Sequence, residues 1–191
     1  MQKKNELIYD EMSERIVDAA ERIAKSDGAE VVTVREILRA LDITNRVFYN
    51  RFNNVEQVLE IVYQRMVLEI RKSLALSFEP DEDYFTQISR IAASTLIMSY
   101  DIKMNFNQYV FKSDSVLTGN FDWWQSEIKR LIELGKSRGH LRAKIDTDVM
   151  SYAIWCFIRG YNADAVGRGI PKEEAVRNFI YSFNVLLDGM K

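Results

Sequence analysis

The chain has 191 residues, 47% of them apolar, and a net charge of -2; this supplies a sizeable core, excludes a disordered chain, and leaves any nucleic-acid affinity to a local basic face. A single cysteine, Cys156, excludes an intrachain disulfide, and the one histidine, His140, cannot join it at any metal-motif spacing, so neither a metal nor another cofactor is expected. The longest unbroken apolar run, Tyr152 to Ile158, is far below the roughly 18 residues of a membrane span, and "MQKKNELIYD" lacks a signal-peptide core; the expected setting is cytoplasmic, with no membrane partner.

Two prolines and eight glycines punctuate the chain, and apolar residues recur at three and four rather than at two, so the expected fold is all-α. Ile16, Ala19, Ala20, Ile23 and Ala24 stripe a first helix over about 9 to 26, closed by Gly28. Thr33 caps a second helix, with Glu36 completing a capping box and Ile37 and Leu41 inward; Thr44 caps a third, running to about Phe52. Between them, Leu41-Asp42-Ile43 has room only for a tight turn, and aspartate tolerates the left-handed conformation such a turn needs. Two helices so joined form a helix-turn-helix.

A longer amphipathic helix follows over about 55 to 76, ended by Pro80 and an acidic run that favours the start of the next helix. That next segment, "YFTQISRIAASTLIMSY", is apolar nearly all round and so belongs in an interior. Further helices are expected over about 104 to 112, 121 to 135, 147 to 166 and 172 to 189, with Gly135 and Gly139 as stop signals and Asp146 or Thr147 as a cap. The division is a three-helix N-terminal domain over 1–53, a connecting helix over 54–76 and a larger helical domain over 77–191.

The stretch Thr33-Val34, Ile37, the turn ending at Ile43, Thr44, Phe48-Tyr49 and Phe52, with Glu56 and Leu59 beyond, resembles the N-terminal domain of the TetR family of bacterial transcriptional regulators. The resemblance covers residues 9 to 62 and is only architectural beyond them. It implies a ligand-responsive regulator, usually a repressor, that binds a palindromic double-stranded DNA operator as a homodimer and answers to a small-molecule effector. This chain departs from the family pattern at Leu38, where a small residue is usual, at Leu41-Asp42, where a small residue and glycine are usual, and at Val55, where a lysine often stands. The leucines should hold the first three helices further apart, and Val55 removes a phosphate contact. A helical small-molecule-binding protein that no longer reads DNA is the alternative.

Within Thr33 to Arg51, Arg35, Arg39, Arg46 and Arg51 face only Glu36 and Asp42, so the basic charge of the first domain is concentrated here. A helix started by Thr44 directs its first-turn N–H groups at a phosphate and presents residues 45, 46, 47 and 50 to a major groove. Arg46 suits guanine, Asn45 or Asn50 adenine, and Val47 a thymine methyl. Thr33, Arg35, Tyr49 and Arg51 are the expected phosphate contacts, fixing register without reading sequence.

Aromatic and thioether side chains gather between Tyr84 and Tyr161, and the expected effector site uses Thr95, Tyr100, Met104, Phe106, Tyr109, Phe111, Trp124 and Trp155. The last helix carries a wide apolar stripe, Val176, Phe179, Ile180, Phe183 and Leu187. With Val149, Ala153, Gly160 and Tyr161 of the preceding helix, it is expected to form half of a four-helix dimer bundle. No Gly-rich phosphate loop, nucleophile elbow or acid–base set is present, which argues against an enzyme.

Overall fold

The computed structural model describes residues 7–75, 82–101 and 118–191. Among them are eight α-helices and no strand: α1 (Glu11–Asp27), α2 (Val34–Leu41), α3 (Asn45–Tyr49), α4 (Val55–Ala75), α5 (Tyr84–Asp101), α6 (Thr118–Ser137), α7 (Thr147–Gly167) and α8 (Lys172–Asp188). The expected helix over 104 to 112 lies outside the described residues. The described chain forms two compact units that part within α4, between Glu69 and Ile70.

In the N-terminal unit, α1 starts at a complete capping box that the sequence did not announce. The Asp10 carboxylate accepts from the Ser13 N–H at 3.0 Å, and the Ser13 hydroxyl accepts from the Asp10 N–H at 3.1 Å. The helix ends where Gly28, at φ 108°, turns the chain in a conformation that costs a glycine little. Its inner stripe, Ile16, Val17, Ala20 and Ala24, is fully buried. Thr33 caps α2 as expected, accepting from the Glu36 N–H at 3.2 Å. Glu36 does not complete that box, because its carboxylate is taken by Arg39 one turn on, at 3.0 Å.

The turn after α2 is left-handed at Asp42 (φ 51°, ψ 49°), and the Ile43 N–H returns to the Leu38 carbonyl at 3.1 Å, so the orphan carbonyl at the helix end is satisfied. Ile37, Phe48 and Phe52 close the small core, while Leu38 and Leu41 are only half-buried, so part of their bulk lies in solvent. Thr44 stands at the N-cap of α3, but its hydroxyl makes no capping bond, which corrects that detail of the sequence reading. Asn54 caps the start of α4, accepting from the Gln57 N–H at 3.0 Å, and Gln57 Oε1 accepts in turn from the Asn53 N–H at 3.0 Å.

In the C-terminal unit, Asp83 caps α5, accepting from the Thr86 N–H at 2.9 Å and its hydroxyl at 3.0 Å. Asp146 caps α7 through the Val149 N–H at 3.0 Å. Phe179 and Phe183 of α8 stack at 5.6 Å, with Phe157 of α7 against both. Burying each such ring stabilises the fold by roughly 1.5–3 kcal/mol. Two tyrosines tie loop and helix ends to this core: the Tyr100 hydroxyl donates to the Ile170 carbonyl at 2.8 Å and the Tyr161 hydroxyl to the Ala175 carbonyl at 3.2 Å.

Gly135 corrects another expectation, since α6 runs through it to Ser137 and the turn falls at Gly139, whose φ is +72°. Its lack of a side chain is a packing requirement. A Cβ there would stand 2.5 Å from the Tyr84 hydroxyl oxygen and 2.8 Å from Leu141 Cδ1. Tyr84 cannot easily retreat, because its hydroxyl donates to the Leu131 carbonyl at 2.8 Å.

Two outcomes follow from this packing and capping. Gly135→Ala, although it favours helix, should lower the stability of the C-terminal unit by about 1–3 kcal/mol through overpacking, seen as a lower midpoint in urea. Arg51 donates to Asp10 through Nε at 2.8 Å and Nη2 at 2.5 Å, and this pairing holds the Asp10 carboxyl well below the usual carboxylate range. A carboxylate whose folded-state pKa is depressed stabilises the fold in full above its unfolded-state pKa and loses that contribution as pH falls. Asp10→Asn, which keeps a capping side chain, should therefore leave the N-terminal unit with a shallower loss of stability between about pH 5 and pH 2 than the unaltered chain, by urea titration at each pH.

Candidate nucleic-acid interface and apolar pocket

Helix α3 has one buried face and one exposed face, and the division sorts the expected contact residues. Phe48 points into the core at 0% exposure, with its ring 5.8 Å from Phe52. Thr44, Asn45 and Arg46 are exposed, Tyr49 is 52% exposed, and Val47 and Asn50 are half-buried. Thr33 and Arg35, at the start of α2, are exposed as well. The Thr44 hydroxyl does not bond back to α3, but the Val47 N–H donates to the Thr44 carbonyl at 3.0 Å, so of the first turn only the Asn45 and Arg46 N–H groups keep their capacity for an anion.

The four arginines of this segment are not equivalent. Arg35 and Arg46 stand apart from every ion pair among the described residues. Arg39 is engaged by Glu36. Arg51 is mostly covered, at 14% side-chain exposure, and spends its donors inside the unit, on Asp10 and on the Val47 carbonyl at 2.9 Å. Its place is therefore structural: it joins the cap of α1 to the end of α3. The Ile8 N–H adds a second tie, donating to the Asn50 carbonyl at 3.0 Å. Sequence reasoning missed both partners, since neither Ile8 nor Asp10 carries a local signal for a contact some forty residues away.

The C-terminal unit holds a partly open apolar cavity of about 50 Å³. Of the expected effector residues, Thr95 and Trp124 line it. Trp155 lies behind Trp124 with ring centroids 6.0 Å apart, and Tyr100 is turned to Ile170 instead. Met104, Phe106, Tyr109 and Phe111 lie outside the described residues. The walls that sequence did not single out include Tyr84, Ile88, Ala92, Ile128, Leu141, Ile154 and Ile158. Apart from Tyr84 they are ordinary core aliphatics in sequence, and only their convergence marks a cavity.

Among the described residues, no charged side chain reaches this lining. Tyr84 is the one titratable wall among the described residues, and burial pushes its phenol up to about 12, so it stays neutral. The Thr95 hydroxyl donates to the Ala92 carbonyl at 2.7 Å and accepts from Asn162 Nδ2 at 3.0 Å. Asn162 is buried, and its Oδ1 meets no hydrogen-bond donor.

The expected dimer residues divide between two faces. Phe179, Phe183 and Leu187 are at most 3% exposed within their own chain, so they belong to its core and are not on an open surface. Ala153, Tyr161, Val176 and Ile180 are half-buried. Val149 is exposed, and Gly160 has open space above it. The apolar residues most exposed on these two helices are Tyr181, at 73%, with Val149, Tyr152 and Val185, three of which the sequence reading did not select. Among the described residues no group of acidic, histidine or cysteine side chains is arranged to hold a metal ion, and no helix is long and apolar enough to cross a membrane.

Known proteins place this architecture. Residues 16–62 match the family described as bacterial regulatory proteins, tetR family. No curated protein matches the chain in sequence. In fold, a TetR-family transcriptional regulator from Pectobacterium atrosepticum is similar over 94% of this chain and 94% of its own, at TM-score 0.75 and 15% identity. A TetR transcription regulator from Haloarcula marismortui is similar over 95% and 99%, at 0.76 and 13%. The fatty acid degradation regulator FadR of Bacillus halodurans is similar over 91% and 95%, at 0.66 and 16%. Residues 16–62 thus match the helix-turn-helix domain of the tetR family in sequence, and the course of the whole chain shares the fold of these TetR-family structures.

Proposed function

We propose that the protein is a ligand-responsive repressor that binds a palindromic operator as a homodimer and is released by a small apolar or aromatic molecule. The observation that carries this reading is the exposed face of α3, where Asn45, Arg46 and Tyr49 project from a helix anchored by a fully buried Phe48. Arg46 is the main base reader, suited to two acceptors on guanine, with Asn45 or Asn50 on adenine and Val47 against a thymine methyl. Thr33, Arg35, Thr44 and Tyr49 hold phosphates, and Arg51 contributes by fixing α3. Two such helices in a dimer read successive major grooves about 34–36 Å apart.

The effector acts through the pocket of the C-terminal unit. A cavity of about 50 Å³ is well below the roughly 150 Å³ that admits benzene, so an effector of that size favours an arrangement with the walls moved apart. Helix α4 contributes residues to both units and gives that rearrangement a continuous route to the DNA-reading end. The fold relative from Bacillus halodurans is named for fatty acid degradation, and the pocket's described walls, none of them charged, accord with an apolar effector. The twin subunit covers the stripe of Val149, Tyr152, Tyr181 and Val185, an apolar surface that costs free energy in water.

Two measurements test this. Gel-shift titration on the promoter upstream of the chain's own gene should show specific binding that weakens steeply with salt, and Arg46→Ala should lower specific affinity roughly 5- to 150-fold while leaving weak nonspecific binding. No binding at low salt, or an Arg46→Ala variant that binds unchanged, would refute DNA reading by this helix. Sedimentation of Tyr181→Glu with Val185→Glu, both at exposed positions, should show a folded monomer where the unaltered chain is a dimer; an undisturbed dimer would place the interface elsewhere.

A further inference from the structure

Where α5 begins and α8 ends, the C-terminal unit holds a second, open cavity of about 200 Å³, lined by Phe85 and Thr86 of α5, Asn184, Leu187 and Asp188 of α8, and Lys191 beyond it. The chain's own ammonium group sits there: Lys191 Nζ lies 4.3 Å from the centre of the Phe85 ring, over its face, and 2.6 Å from the Asp188 carboxylate. An aromatic face beside a carboxylate is a combination that recognises an organic cation. The Thr86 hydroxyl adds a further acceptor, because its proton goes to the Asp83 carboxylate at 3.0 Å and its oxygen keeps lone pairs to offer. Helix α8 ends at Asp188, so its negative dipole end adds to the attraction, and the positive end of α5 is covered by the Asp83 cap.

We propose that this cavity is a binding site for a small primary ammonium, a protonated alkyl or aralkyl amine, received by Asp188 and Thr86 over the Phe85 ring, with Lys191 as the internal competitor that gives way to it. The competitor is weakly held. Lys191 and Asp188 are both exposed, and a surface ion pair contributes little once a long flexible side chain has been ordered to make it. A guest with an alkyl body gains contact with Leu187, the buried apolar wall, and the cavity exceeds the roughly 150 Å³ that admits benzene. A carboxylate guest would find a cation that is paired, and would meet Asp188, the Thr86 lone pairs and the negative face of Phe85. The site stands apart from DNA reading and from the apolar pocket's proposed role, so its failure would leave both untouched.

The test uses the full-length protein at neutral pH and three probes of equal heavy-atom count, butylammonium, 1-butanol and propanoate, with dissociation constants measured by saturation-transfer NMR. Butylammonium should bind tightest, by roughly 3- to 10-fold over 1-butanol, with propanoate weakest. Lys191→Met, which removes the competing ammonium and keeps an unbranched chain, should tighten butylammonium by roughly 2- to 5-fold and leave 1-butanol unchanged. Asp188→Asn should erase the advantage of butylammonium over 1-butanol, and Phe85→Leu should reduce it. Butylammonium no tighter than 1-butanol in the unaltered protein overturns the proposal without any variant, as does propanoate tighter than butylammonium. A Lys191→Met protein that binds butylammonium no more tightly than the unaltered chain also overturns it, and so does an advantage that survives Asp188→Asn.

Discussion

The burial of Phe48 is the constraint on which the proposed DNA reading depends. A helix of five residues has almost no stability of its own, because nucleation fixes several dihedrals before hydrogen bonds accumulate to offset the entropy. What holds α3 is tertiary: Phe48 is fully enclosed, Phe52 packs on it, and Arg51 bridges to Asp10 while bonding the Val47 carbonyl. Asn45, Arg46 and Tyr49 take their directions from that anchor. The charged pair is partly exposed, so its value is orientation more than energy. It converts the cap of one helix into a stop for another.

In the C-terminal unit a similar economy links structure and pocket. Tyr84 is a cavity wall, the neighbour that forbids a side chain at Gly135, and the ring on which His140 stacks at 5.0 Å. Its hydroxyl is held by a backbone carbonyl of α6, so α5 and α6 are registered by the same group that shapes the cavity. A change in wall position is thereby a change in helix packing, which is the form that coupling between a pocket and a distant surface must take. At the other end, Asn162 and Thr95 join α7 to α5 by a buried side-chain bond.

Much of the fold was legible because the cues were local. Asp42 in a left-handed turn, Thr33 and Asp146 as caps, and the inward stripe of α1 all follow from residues within four positions of one another. The Asp10–Ser13 box escaped because it reverses the familiar order of hydroxyl then acid. Gly135 reads in sequence as a helix end, because its constraint is a tyrosine about fifty residues earlier. The apolar stripe of α8 announced burial correctly without saying against what: Phe179, Phe183 and Leu187 fill their own chain's core, and the open face is carried by Tyr181 and Val185. The same limit applied to Arg51, whose charge suggested a phosphate and whose position supplies Asp10.

The narrowness of the cavity also sets how such a regulator would respond to concentration. Any guest larger than the space available must spend part of its contact energy prising aliphatic walls apart, so its apparent grip is weaker than its surface complementarity would suggest. Sensitivity then becomes a property of wall stiffness. Trimming a single aliphatic side chain behind the lining would shift the threshold for many guests together, whereas altering a residue that touches only one guest's head group would shift it for that guest alone.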